Sequence, residues 1–236
     1  MKKRIWELDA LRGFFIWIIM FIHLSYDLVD LYGIMDPVYP KLYAFQFAWG
    51  GMPFLVIAGI SATLGSRPVK RGLQVIGGGL LCTLATLGMY LVGFAHKGII
   101  IYFGVLHCIG LCMILWLLFR KCPWYVLGLL GIILSAVGLY FKTLTVSHPY
   151  LILFGLCPRS FVSSDYFPLL PNLGYFLLGA MLGKLVYNQK ISLFPKVKES
   201  NPIRRFFCFC GRHSLAFYLL HQPILAGAIW LYLYLT

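Results

Sequence analysis

Seven apolar runs, each close to the length that crosses a bilayer, divide this sequence. They lie at about 11–31, 47–66, 72–94, 99–119, 123–141, 169–188 and 213–235. A helix of about 20 apolar residues spans the hydrocarbon core and satisfies its own backbone hydrogen bonds there. Only 11% of the residues are charged, against about 25% in a soluble domain. We therefore predict an all-α, polytopic integral membrane bundle of about seven transmembrane helices, a single domain over residues 1–236.

The distribution of lysine and arginine predicts the orientation, because cytoplasmic loops are enriched in both. The N-terminal basic residues are followed by no A-x-A-like cleavage site, so the first run should stay as a span. With the N-terminus inside, four positive residues fall outside, namely Lys41, Lys97, Lys142 and Arg159. The other 16 of the 20 fall inside, among them Lys2, Lys3, Arg4 and Lys198. We predict N-in and C-out, in the cell membrane; the net charge of +13 then reflects topology and not nucleic-acid binding.

The segments between the runs suggest local structures. The outer segments 32–46 and 142–168 are long, apolar and aromatic, so we expect them to be interfacial or re-entrant. The inner segment 189–212 is basic and interrupted by proline, which predicts a linker on an anionic membrane surface. The seven cysteines show no metal-ligand spacing, and Cys208 and Cys210 predict packing or lipidation sooner than a metal site. Glycines 77–79 predict close helix packing.

Four polar residues form a stripe on the first apolar run. Arg12 and His23 are eleven positions apart, which is three helical turns plus about 20°, with a separation of about 16 Å along the axis. Asp27 and Asp30 continue the same face toward the outer side. Ionisable groups at membrane depth cost roughly 2.5–3.5 kcal/mol each and normally face a bundle interior or a wet cavity. The stripe therefore predicts a functional face.

Each residue of the stripe also has a structural interpretation. His23 could simply bond a neighbouring helix, and both aspartates could reach the outer headgroups and water. Asp27 could instead accept a hydrogen bond from His23 and raise its basicity, as the orienting member of an acid–base pair does. Arg12 could pair with Asp9 at the helix start.

Three stretches carry a resemblance to a known family. "ELDALRGFFIWIIMFIHLSYDL" resembles the first-span signature of bacterial relatives of the heparan-alpha-glucosaminide N-acetyltransferase catalytic domain. "SDYFPLLPNLGYFLLGAMLG" and "GRHSLAFYLLHQPIL" resemble the later junction and the last span of that group. The related acyltransferase family three shares an arginine, ten residues and a histidine, which match Arg12 and His23.

The resemblance implies an acyltransferase with acetyl-CoA or another acyl-CoA as cytoplasmic donor. It implies a glycan or amino-sugar acceptor on the extracytoplasmic side. In the lysosomal enzyme of this family, an asparagine occupies the position that matches His23. The catalytic histidine of that enzyme comes from the following luminal loop. Segment 32–46 has no histidine, so the implied role, as general base or transient acyl carrier, falls on His23. N- versus O-acylation stays open.

Further candidates lie outside the first run. The basic residues Arg12, Arg67 and Arg71, with Lys70, could hold the phosphates of the donor, although topology alone also explains the loop charges. His107 and His221 lie at comparable depth in two other runs, each as a candidate catalytic group or as a packed histidine. A local polar pocket is expected beside His221, because Pro223 frees a backbone carbonyl. Substrate-binding candidates are Asp30, Asp165, Tyr166 and Asn172, where Asp165 could equally cap a helix.

A second class of function fits the same sequence. The stripe could hold helices together in a non-catalytic, transporter-like or partner-binding bundle. No metal or redox cofactor is indicated, the bilayer is the expected partner, and the sequence leaves oligomerisation open.

Overall fold

The computed structural model describes residues 5–37, 39–197 and 200–235, with only the backbone at positions 47 and 48. The chain divides into two compact units. The first comprises Met1–Pro53 and Ile191–Thr236, and the second comprises Phe54–Lys190. The prediction of a single domain across residues 1–236 stays a prediction.

The first unit contains the two ends of the chain. Its helices are α1 (Trp6–Tyr26), α2 (Pro40–Trp49), α8 (Pro202–Arg212) and α9 (Ser214–Leu235). A π-helical turn, Asp27–Leu31, continues α1 without a break. Helix α1 packs against both α8 and α9. The unit therefore joins the first and the last apolar runs of the sequence.

The second unit holds the middle of the chain. Its helices are α3 (Met52–Leu64, whose first two residues belong to the first unit), α4 (Pro68–Leu91), α5 (Val105–Phe119), α6 (Trp124–Phe141) and α7 (Leu169–Val186). The pairs α4–α5 and α6–α7 pack most extensively. Small residues permit these approaches: a Cβ on Gly79 would lie 2.8 Å from Nδ1 of His107. The predicted packing role is thus confirmed at Gly79, whereas a Cβ on Gly77 would meet nothing within 4 Å.

Within the described part of the chain, five helices are long and apolar enough to cross a membrane. They are Trp6–Leu31, Pro68–Leu91, Trp124–Phe141, Leu169–Val186 and Ser214–Leu235. The other two predicted runs contain shorter apolar helices, Met52–Leu64 and Val105–Phe119. The all-helical, multi-span class is therefore confirmed, and the count of seven and the N-in orientation stay predictions. Of the charges behind that orientation, Lys2, Lys3, Arg4 and Lys198 lie outside the described residues.

Both predicted outer segments contain short helical elements. Helix α2 begins in the first of them. A 3₁₀ helix, Pro149–Phe154, lies in the second. The second segment is also tied to the start of α5, because the Phe167 amide donates to the Phe103 carbonyl at 2.9 Å. Its backbone is thus held by the helical bundle of its own unit.

The prediction of a linker over 189–212 is wrong for its second half, which forms α8. Asn201 caps this helix by accepting from the Arg204 amide at 3.1 Å, and Pro202 occupies its first turn. Cys208 and Cys210 are buried. Burial, then the negative charge of Asp9, raises the pKa of the Cys208 thiol. A buried, protonated thiol is a poor nucleophile, which favours packing over lipidation for Cys208, and Cys210 is buried as well.

Helices α1 and α8 cross at two glycines. A Cβ on Gly13 would collide with the Phe207 carbonyl, and one on Gly211 with the Asp9 carbonyl. Around the crossing, the Arg204 guanidinium lies 4.6 Å from the Trp6 ring centroid, and Trp17 stacks on Phe206. The absence of side chains at the crossing lets the two backbones touch.

Gly211→Ala is therefore expected to destabilise the protein by about 1–3 kcal/mol, the usual cost of overpacking. Gly227→Ala in α9 is the matched control, because a Cβ there would meet nothing within 4 Å. Alanine at that position should be neutral or stabilising by up to about 1 kcal/mol through helix propensity. Unfolding of both variants in detergent micelles would measure the difference, and equal stabilities would contradict the crossing.

Candidate functional site

Helices α1 and α9 bring two histidines together in the first unit. The ring centroids of His23 and His221 are 4.7 Å apart, and the planes are inclined by 68°. The Tyr218 ring lies 6.5 Å from that of His23. His221 is buried and His23 is half-buried. Two residues that are 198 positions apart in the chain, and that the sequence singled out independently, thus form one pair.

The backbone of α9 fixes the protonation pattern of His221. Its Nδ1 lies 2.6 Å from the Tyr218 carbonyl. A carbonyl oxygen can only accept, so Nδ1 carries the proton, and Nε2 of the neutral ring has a free lone pair. Pro223, which was expected to free a backbone carbonyl beside His221, lies within the same helix. The Tyr218 carbonyl thereby orients the His221 ring, as a carboxylate or carbonyl orients a catalytic histidine.

Asp27 bonds to a residue that the sequence did not single out as a site residue. Its Oδ1 accepts from Nε2 of Gln222 at 2.6 Å, and not from His23, which was one of the two alternatives for Asp27. Asp27 is also fully buried, so the expectation that it reaches outer water is wrong. The π-helical turn begins at this residue, with the Tyr32 amide donating to the Asp27 carbonyl at 2.8 Å.

The same wide turn separates Asp30 from the rest of the stripe. A π turn contains more residues than an α turn, so the 100° step used for the stripe no longer holds beyond Tyr26. Asp30 is exposed and accepts from the Tyr43 hydroxyl of α2. The two aspartates therefore differ in environment: Asp27 belongs to the buried cluster and Asp30 to the surface.

Three buried side-chain atoms of this cluster have no hydrogen-bond partner among the described residues. They are Oδ2 of Asp27, Nε2 of His221 and Oε1 of Gln222. Buried polar atoms are normally paired, because desolvation without a partner costs about 1–3 kcal/mol each. All three can accept a hydrogen bond. Such a group is suited to a ligand that donates N–H or O–H groups, which is what an acyl acceptor presents.

Arg12 lies in the first unit and bonds to Asp9. Its Nη1 is 3.0 Å from Oδ1 of Asp9, the pairing that the sequence offered as the structural alternative. Its role toward a donor phosphate therefore stays a prediction.

The second unit holds the other histidine candidate. His107 is buried at the start of α5, and its Nδ1 accepts from the Gly104 amide at 3.2 Å. Oδ2 of Asp165 accepts from the Val105 amide at 3.1 Å. The two side chains thus satisfy amides at one helix start, the capping alternative for Asp165. Their catalytic and binding roles stay predictions.

Tyr166 and Asn172 also bond to nearby backbone. The Tyr166 hydroxyl donates to the Ile152 carbonyl and accepts from the Cys157 thiol. Burial, then the bond to Cys157, raises the pKa of Tyr166, which stays protonated. Asn172 donates from Nδ2 to the Pro168 carbonyl at 2.7 Å. The Tyr166 bonds hold the outer segment 142–168 together, and the Asn172 bond joins the end of that segment to α7.

A basic cavity of about 780 Å³ lies where α3 ends and α4 begins. Its cationic lining consists of Arg67, Lys70 and Arg120. Arg67 and Lys70 were predicted for this role, and Arg120 at the end of α5 was not. Arg71 is absent from the lining and lies instead beside Gly65, whose Cβ would be 3.0 Å from its Nη1. The first turn of α4 also faces this region, and free amides at a helix start favour anions.

Comparison with known proteins gives one match. Residues 4–223 match the family model described as heparan-alpha-glucosaminide N-acetyltransferase, catalytic. Comparisons with curated proteins and with solved structures gave no match. The matched region covers both histidines of the pair, Asp27, Gln222 and the basic cavity.

Proposed function

Because the chain belongs to the family of heparan-alpha-glucosaminide N-acetyltransferase catalytic domains, we propose that it is a multi-pass membrane acyltransferase of the cell membrane. It moves an acyl group, acetyl by the family description, from cytoplasmic acyl-CoA to an extracytoplasmic glycan or amino sugar. The observation that carries the proposal is the cluster of His23, His221, Asp27 and Gln222, which contains three buried acceptor atoms without a hydrogen-bond partner among the described residues.

The basic cavity of the second unit would hold the charged end of the donor. CoA carries several phosphate charges, and Arg67, Lys70 and Arg120 supply three positive charges around one space. Charge-assisted bonds from such groups are shorter and stronger than neutral ones. Two further arginines are candidates for binding the donor phosphates. Arg12 is suggested by the family pattern, and Arg71 by the basic loop.

The histidine pair would carry out the transfer. In the direct route, an imidazole nitrogen removes the proton from the acceptor nucleophile as that nucleophile attacks the thioester carbonyl, and CoA leaves as the thiol. In the two-step route, a nitrogen of His23 attacks the thioester carbonyl, the C–S bond breaks, and CoA leaves as the thiol with the ring proton. The acceptor nucleophile then attacks the acyl-imidazole, gives its proton to the ring and takes the acyl group. His221 supports either route, because its ring lies 4.7 Å from the His23 ring, centroid to centroid, and its Nε2 has no partner among the described residues. His107 is the remaining histidine candidate.

The acceptor would bind through the same cluster. Oδ2 of Asp27 and Oε1 of Gln222 are both acceptors, which suits a sugar hydroxyl or amine. Asp30, Asp165, Tyr166 and Asn172 are the additional acceptor-binding candidates from the sequence.

A transfer assay tests the proposal. The full chain in lipid nanodiscs would be given labelled acetyl-CoA and a small α-glucosaminide, and the label on the sugar would be measured. Transfer above the protein-free rate is expected. If acetyl-CoA neither binds nor loses its acetyl group, the chain is instead a non-catalytic bundle.

The donor cavity carries its own prediction. Lys70→Gln should weaken acetyl-CoA binding about tenfold, since a hydrogen bond to a charged group contributes about 1.5–3 kcal/mol and this lysine is exposed. Acetyl-pantetheine lacks the nucleotide and its phosphates, so its affinity should not change. Calorimetry with the two donors would measure both. An equal loss for both donors would remove Lys70 from the phosphate site.

A further inference from the structure

The second unit has an unusual charge balance. Residues 54–190 contain ten lysines and arginines and a single acid, Asp165. Asp165 bonds to the start of α5, whereas α5 ends at Phe119, near the basic residues Arg120 and Lys121. The one carboxylate of this unit is therefore bonded at the opposite end of α5 from Arg120 and Lys121.

Arg120 lines a second cavity besides the donor cavity. It has a volume of about 540 Å³ and lies between the ends of α3, α5 and α7 and the start of α6. Its cationic lining is Arg120, Lys184 and Lys190. No acid is found among its described lining residues. Arg120 is shared with the donor cavity, and Lys70 and Lys190 each line one cavity alone.

The walls of this cavity are fixed by one of its cations. Nζ of Lys184 donates to the carbonyls of Arg120 and Cys122 at 2.8 and 2.6 Å. It also lies 5.7 Å from the centroid of the buried Trp116 ring. An ammonium group has three donors, so one remains for a ligand. The turn between α5 and α6 is thereby held in place beside the opening.

An aromatic side chain completes the lining. Trp124, half exposed at the start of α6, lies at the end of a helix that is long enough to span a membrane. Tryptophan is enriched at the level of the lipid headgroups, and basic pockets between spanning helices suit anionic headgroups. Lysine, arginine and tryptophan occur together here at a helix end. We therefore infer that the cavity lies at the level of the lipid headgroups, at the end of the spanning helix α6.

We propose that the cavity lined by Arg120, Lys184, Lys190 and Trp124 binds the phosphate of an anionic phospholipid headgroup. The donor nucleotide occupies the neighbouring cavity beside Lys70. The two ligands are the same in phosphate chemistry and differ in which cations hold them. This inference does not depend on catalysis, because it rests on the charge and position of the second cavity.

Native mass spectrometry of the full chain in neutral detergent tests the proposal, with phosphatidylglycerol and phosphatidylcholine as probes. Wild-type protein should bind phosphatidylglycerol more tightly than phosphatidylcholine, because the choline group of phosphatidylcholine neutralises the phosphate charge. Lys190→Gln should weaken phosphatidylglycerol binding about fivefold, the effect of roughly one surface cation. Lys121→Gln is the matched control: Lys121 is an exposed neighbour that lines neither cavity.

Acetyl-CoA binding separates the two phosphate sources. Lys70→Gln should reduce acetyl-CoA affinity and spare phosphatidylglycerol, and Lys190→Gln should do the reverse. Equal phosphatidylglycerol affinities for Lys190→Gln and Lys121→Gln would overturn the lipid site. A wild-type protein that binds phosphatidylglycerol but no acetyl-CoA would keep the lipid site and reject the proposed enzyme.

Discussion

His23→Ala is expected to reduce acyl transfer by about 10²–10⁴-fold, the usual contribution of a positioned general acid or base. The imidazole of His23 lies beside that of His221, with 4.7 Å between the ring centroids. Removing it leaves His221 with its Nδ1 bond to the Tyr218 carbonyl, but without the neighbouring ring. The measurement is the rate of labelled acetyl transfer by purified protein in nanodiscs.

The His23 variant should remain folded, for a reason that differs from the sequence argument. From the sequence, loss of His23 appears harmless because Asp27 would be solvated. In the structure Asp27 is buried, and its Oδ1 accepts from Gln222. That bond survives the substitution, so no additional buried charge loses a partner. Thermal unfolding close to that of the wild type is the expected result.

The matched control is His213→Ala, in the same unit. His213 is exposed and bonds to the Phe209 carbonyl at the end of α8. Its loss should leave transfer unchanged within about twofold, as expected for a surface substitution. Near-normal transfer by His23→Ala, or an equal loss in both variants, would show that the assignment to His23 is wrong.

Rapid quenching without acceptor separates the two routes open to His23. If His23 carries the acyl group, label from acetyl-CoA should appear on the wild-type protein and be absent from His23→Ala. If His23 acts only as a base, neither protein should retain label. The first outcome supports a covalent intermediate and the second supports direct transfer.

The long helices could be predicted from the sequence because their signal is local. Runs 123–141 and 169–188 correspond closely to α6 and α7, Trp124–Phe141 and Leu169–Val186. Composition alone specifies such a helix, since the bilayer leaves the backbone few other structures. The run 47–66 illustrates the limit. It contains Gly50 and Gly51, and α2 ends before them while α3 begins after them.

Helix α8 was missed because its packing residues recur at helical spacing, whereas its mean hydropathy is too low to mark an apolar run. Its three arginines lower the mean hydropathy, while Cys208 and Gly211 contact α1. The pattern of Asn201 followed by Pro202 does carry the information, as an N-cap and a first-turn proline. An asparagine before a proline is equally typical of a turn, so only the packing against Gly13 decides between the two structures.

The site was predictable in its histidines but not in its bonding. His23 and His221 stand out because ionisable groups are rare within apolar runs. Gln222 does not stand out beside His221, and its bond to Asp27 joins residues 195 positions apart. The π turn at Asp27 also has no sequence signature that we used, and it moves Asp30 away from the cluster. Long-range pairing and local helix widening both depend on tertiary packing.

Gln222→Leu should destabilise the protein by about 3 kcal/mol and also reduce acyl transfer. Leucine is close to glutamine in volume but cannot donate, so Asp27 would lose the bond to Oδ1 while its Oδ2 already has no partner among the described residues. Leaving a buried charged group unsatisfied costs its desolvation, about 1–3 kcal/mol and more for a charge. Unfolding by denaturant in mixed micelles would measure the loss.

A double-mutant cycle separates this bond from the packing of the two side chains. Asp27→Leu combined with Gln222→Leu removes both polar partners, and replacement of both can be nearly neutral where removal of one is costly. The double variant should therefore be more stable than Gln222→Leu alone, with a coupling free energy of about 1–3 kcal/mol. Additive losses would mean that the two side chains do not interact. Recovery of stability without recovery of transfer would place Asp27, Gln222 or both in the reaction, since two residues that only pack would restore both together.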